Sequence, residues 1–163
     1  MKKIAFTLVL LFTIQLGFAN DKTAYEKAML AKIEVLNQAQ KFSDYQAVAN
    51  AFERIAQKEE KEWLPLYYAA FSYINMGFYD SLSLDQKDQY LNQANDILDK
   101  AEKIASNNSE ITALKGYALM GKLTADASNR GQLLSPQVMQ LFGKAIQQDP
   151  KNPRALFLMA QME

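Results

Sequence analysis

The chain has 163 residues, 49% hydrophobic and 22% charged, with 18 basic residues, 18 acidic residues, no His and no Cys. That length fits one domain; the missing Cys excludes disulfides, thiolate nucleophiles and Cys-based zinc sites, and the missing His removes the commonest general base and metal ligand. Zero net charge speaks against nucleic acid as a partner, and only six Gly and four Pro leave few helix breakers.

Met1-Lys2-Lys3 opens the chain, an apolar run follows from Ile4, and Gly17-Phe18-Ala19 precedes the first acidic residue, Asp21. A basic start, a short apolar run and small residues at a cut after Ala19 make residues 1–19 an export signal. The stretch is shorter than a membrane span and is interrupted by Thr7, Thr13 and Gln15. The expected mature chain, residues 20–163, loses Lys2 and Lys3 and carries 16 basic against 18 acidic residues, a net charge of −2. It is expected in the periplasm or outside the cell, with no membrane span after signal cleavage.

From Thr23 the apolar residues recur with a helical period. Tyr25, Ala28, Met29, Ile33, Leu36 and Ala39 form one stripe. Tyr45, Val48, Ala49, Phe52, Ile55 and Ala56 form a second, after a break at Phe42-Ser43-Asp44 in which Ser43 or Asp44 is the candidate N-cap. A third helix spans about Trp63 to Met76, with Pro65 in its first turn and Gly77 as its expected C-cap. A fourth carries Tyr90, Leu91, Ala94, Ile97, Leu98, Ala101, Ile104 and Ala105. Asn107-Asn108-Ser109 ends it and caps a fifth, about Glu110 to Leu123. Ser135-Pro136 reads as N-cap plus Pro at N1, opening a sixth helix with Val138, Leu141, Phe142, Ala145 and Ile146. Asp149-Pro150 ends it, and Asn152-Pro153 starts the seventh. No alternating run argues for a strand.

The joint from Gly143 to Leu156, with Ala145, Asp149-Pro150 and then Asn152-Pro153-Arg154-Ala155, resembles the junction between successive tetratricopeptide repeats. Trp63, Leu66, Tyr67 and Ala70 match the first-helix positions of that family, with Tyr67 where Gly is usual. Ala94, Leu98 and Ala101 match its second-helix positions, and Gly116 is the small residue of the next first helix. Against a 34-residue repeat, the stretches Phe78 to Lys87 and Thr124 to Leu134 are insertions. The resemblance implies an all-α solenoid of antiparallel helix pairs, about three degenerate repeats. It also implies a concave face made by first helices. Carried over by position, Tyr68, Phe71, Ser72, Tyr117, Met120 and Gln161 line that face, with Lys61, Glu110 and Arg154 at its edge. Such a groove suits an extended peptide or an apolar helix.

Other motifs carry less. Gly116 to Lys122 copies seven positions of a phosphate-binding loop, but Leu123 replaces the Ser or Thr and no strand precedes it. Glu59, Glu60 and Glu62 read as a solvated face. Asp80, Asp85 and Asp88 lack the Gly and Glu of a calcium loop. Asp80-Ser81-Leu82 resembles an O-glycosylation site of exported bacterial proteins. Leu156, Phe157, Leu158, Met159 and Met162 make the last helix apolar on nearly all sides, so either the chain stops within a repeat or this helix forms a homodimer. The expected function is an exported, non-enzymatic scaffold that holds an unidentified protein or peptide without a cofactor or metal. The alternatives are a self-assembling envelope subunit and a binder or enzyme of a small ligand.

Overall fold

In the computed structural model, which describes residues 23–162, every regular element is a helix. The export signal and its cleavage point lie outside the described residues. Helix α1 runs over residues 23–37. It is followed by α2 (Phe42–Lys58), α3 (Leu64–Gly77), α4 (Leu84–Ile104), α5 (Ser109–Ala125), α6 (Ala127–Gln148) and α7 (Pro153–Ala160). None of them is long and apolar enough to cross a membrane.

The caps explain most boundaries. Ser83 accepts from the Gln86 N–H while the Gln86 side chain accepts from Ser83, a reciprocal box that starts α4. Asn108 accepts from Glu110 and Ile111 at the start of α5, and Asn107 before it takes the left-handed conformation (φ 58°) that Asn tolerates. Asn152 accepts from Ala155 and starts α7, with Pro153 as its first residue.

Three expected boundaries are corrected. The N-cap of α2 is Lys41; Asp44 sits three residues inside, where its carboxylate accepts from the backbone N–H groups of Gln40 and Lys41. Gly77 is the last residue of α3 and has no positive φ. Its smallness serves packing instead: a Cβ there would stand 2.7 Å from Cγ of Leu91. Ser135-Pro136 does not start a helix, because α6 begins at Ala127 and carries Pro136 inside it. The stretch Thr124 to Leu134 is therefore mostly helix. Arg130 holds it down through a two-pronged ion pair with Asp88, at 2.7 and 2.6 Å, and a bond to the Lys122 carbonyl.

Consecutive helices pack on one another, and the short joints between them make neighbours antiparallel. Helix α5 also touches α3 on one side and α7 on the other, whereas the backbones of α4 and α6 stay apart and are bridged by the long side chain of Arg130 reaching Asp88. Helices α3, α5 and α7 thus form one layer and α4 and α6 the other, a solenoid-like stack. Small residues set the spacing. Ala113, Ala145 and Ala155 meet fully buried at the junction of α5, α6 and α7. Gly116 admits the ring of Phe142, and Gly121 admits Leu91. The larger core joins α1 to α5 through Phe52, Tyr67, Ile74, Leu91, Leu98 and Leu114.

Candidate functional site

The layer of α3, α5 and α7 carries a row of aromatic side chains. On α3 and its C-cap the positions Tyr68, Phe71, Asn75 and Phe78 follow at steps of three and four, so they share one face. Tyr68 stacks on Phe52 of α2, with centroids 5.2 Å apart. Phe78 meets Tyr117 of α5 at 5.1 Å. Beyond them α7 adds Arg154 and Phe157, and its C-cap adds Gln161. Phe71, Tyr117, Pro153, Arg154, Phe157, Leu158 and Gln161 line a cavity of about 450 Å³. That falls within the range of small-ligand sites.

Arg154 is the charged group of this cavity. Its guanidinium carbon lies 4.8 Å from the centroid of Phe71 and 5.8 Å from that of Tyr67, both within cation–π reach. Its Nε stands 3.6 Å from Oε2 of Glu110. That same oxygen accepts a 2.7 Å hydrogen bond from the Tyr67 hydroxyl. Burial drives the Tyr67 phenol far above the ordinary range, with Arg154 partly opposing it. Tyr68 and Tyr117 shift upward for the same reason. All three phenols therefore stay neutral through physiological pH.

The expected groove residues divide accordingly. Phe71, Tyr117, Arg154 and Gln161 line one cavity, and Glu110 joins them through Arg154. Tyr68 is half-buried against Phe52. Ser72 does not face the groove; it is fully buried and its hydroxyl donates to the Tyr68 carbonyl one turn back. Met120 packs with Leu123, Val138, Phe142 and Leu158 in the second core. Lys61 is exposed in the joint between α2 and α3, outside the cavity lining. Position alone misses Pro153, Phe157 and Leu158 of the lining, and Tyr67 behind it. The periodicity of α3 places Tyr67 in the core, which is correct, but its hydroxyl reaches across to Glu110, 43 residues away.

No family model and no curated protein matches the chain. Among solved structures, the HusA haemophore from Porphyromonas gingivalis is similar, with 31% identity and a TM-score of 0.77, over 86% of this chain and 68% of that one. The chain belongs to the HusA family. The all-α stack is thus shared with that haemophore, and no tetratricopeptide model matches.

The remaining motifs resolve structurally. The phosphate-loop look-alike lies inside α5, where Gly116 and Gly121 admit Phe142 and Leu91. Glu62 is exposed and Glu59 half-buried, so they do not share a buried pocket. Asp88 is paired with Arg130, and no group of three acidic side chains among the described residues could hold a metal. Ser81 is exposed in the turn between α3 and α4.

Proposed function

We propose that this chain is an exported, non-enzymatic binding protein that holds a haem-type tetrapyrrole on the face made by α3, α5 and α7. The observation that carries the reading is the aromatic cavity around Phe71, Tyr117 and Phe157 with Arg154 at its side, in a chain of a haemophore's family. Flat aromatic walls suit a planar macrocycle, and a guanidinium suits the carboxylates at its edge. With no His or Cys in the chain, iron could be ligated only by weaker or uncommon donors. The nearby phenols Tyr68 and Tyr117 are shifted away from the phenolate form such ligation needs. The reading therefore rests on recognition of the ring rather than of the metal.

Absorbance titration with haemin tests it. The expected result is a saturable change of the haemin band at one ligand per chain, with micromolar or tighter affinity. A change that never saturates, or none at all, would overturn the reading. A protein or peptide in the same groove is the second reading, favoured by Phe157 and Leu156, which are 62% and 45% exposed on α7. It predicts a stoichiometric partner recovered from the host envelope by the wild type and lost with Tyr117→Ala.

A further inference from the structure

Arg154 combines three features. It is half-buried, it lies over the face of Phe71, and its Nε is sealed from solvent without a hydrogen-bond partner. Glu110 is near, but at 3.6 Å the contact is an ion pair and not a hydrogen bond. Tyr67 donates to the same Glu110 oxygen at 2.7 Å and so helps to hold the carboxylate where it is. Glu110 and the two aromatic rings thus fix where Arg154 sits, while its Nε donor stays unmet.

We infer that Arg154 binds a carboxylate of the groove's ligand, that Tyr67 and Glu110 are its positioning residues, and that the groove therefore selects a porphyrin free acid over its ester. This rests on the tetrapyrrole reading above. Glu110 cancels the charge of Arg154 at a distance, so long-range attraction contributes little. The discrimination arises at contact, where the terminal nitrogens of the guanidinium, the part of the side chain left accessible beyond the sealed Nε, meet both oxygens of a carboxylate and an ester offers no such anion. The ring then lies against Tyr117 and Phe157, beside the charged group.

The test compares metal-free protoporphyrin with its dimethyl ester in one detergent-containing buffer, following porphyrin fluorescence, with circular dichroism checking each variant's fold. Wild-type protein should hold the diacid about tenfold or more tightly than the ester, as loss of a charge-assisted pair implies. Arg154→Gln should weaken the diacid alone and bring the ratio near one. Arg154→Lys keeps the charge without the fork and should give an intermediate ratio, and it serves if the Gln variant loses helicity. Tyr67→Phe should lower the ratio too, because Glu110 loses the bond that holds it and can then close on Arg154. Equal affinity of the wild type for both ligands, or equal weakening of both by Arg154→Gln, would sink this inference and leave the tetrapyrrole reading standing. Failure of the wild type to bind either ligand would remove that reading and this inference together.

Discussion

Two glycines show how unevenly a single methyl group weighs in this molecule. At Gly116 a Cβ would stand 2.7 Å from Cδ1 of Phe142 and closer still to Cε1, and Phe142 is fully buried. At Gly131 a Cβ meets nothing within 4 Å, and the residue lies within α6. Gly116→Ala should therefore lose about 1–3 kcal/mol by overpacking. Gly131→Ala should gain about 0.5–1 kcal/mol from helix propensity. Urea unfolding of the two variants checks both signs. Tyr67 gives a second prediction. Its folded pKa is raised above the ordinary phenol value near 10, so above that pH the unfolded chain holds fewer protons than the folded one. Stability is then full below pH 10 and falls as the pH rises from there toward the folded value. Tyr25, pushed up to about 12 mainly by burial, adds to the same limb. Tyr67→Phe should be less stable at pH 7 by about 1–3 kcal/mol, having lost the bond to Glu110, yet should decline less steeply between pH 10 and 12. Parallel alkaline limbs for the two proteins would contradict this.

At the level of the helix, periodicity carried the reading wherever the buried stripe decides the structure. Ala94, Leu98 and Ala101 are all fully buried on α4, and Val138, Phe142 and Ala145 are buried on α6. Periodicity failed where a tertiary contact overrides local preference. Ser135-Pro136 has the composition of a helix start, but α6 runs through it from Ala127. Nothing near Arg130 in the sequence announces that Asp88, 42 residues earlier, will hold the extra turns. The groove was legible in the same partial way. Position in the tetratricopeptide pattern brought Phe71, Tyr117 and Arg154 together, while Ser72 lies on the buried side of α3, where its hydroxyl is satisfied by a backbone carbonyl. The extension of α6 invites a direct test. Arg130→Ala should leave Asp88 unpaired and raise amide exchange at residues 127–135, with the α6 residues after Val138 unchanged. The Arg130 guanidinium holds the Asp88 carboxyl below its usual range. Acid should reproduce the effect, since the pair's contribution is present above the ordinary Asp value and is lost as pH falls through the lowered one. Pro136 denies α6 one backbone hydrogen bond on an exposed face, so Pro136→Ala should raise the melting temperature.

Over the whole molecule, the candidate site depends on whether α7 stays docked. Eight residues are too few for a helix to persist alone, so tertiary contacts must hold this one. Ala155 and Leu158 supply the buried apolar part. The polar part is Asn152, which is 1% exposed. Its Oδ1 accepts from Ala155, its Nδ2 donates to the Ser109 hydroxyl, and that hydroxyl donates to the Ala145 carbonyl. One side chain thus ties the starts of α5 and α7 to the end of α6. Asn152→Ala removes the cap and this link, and should cost about 2 kcal/mol. Asn152→Asp keeps an acceptor for the helix but turns an oxygen toward Ser109, whose own proton is already committed, so it should be destabilising as well. Arg154 and Phe157 ride on α7, so both variants should weaken porphyrin affinity although Asn152 itself does not line the cavity. The coupling runs in reverse: a ligand held between α3, α5 and α7 binds only the docked state and should slow amide exchange in α7. Ligand-induced protection confined to α3 and α5, with α7 exchanging as in the free protein, would place the ligand elsewhere than on the cavity built by Arg154 and Phe157.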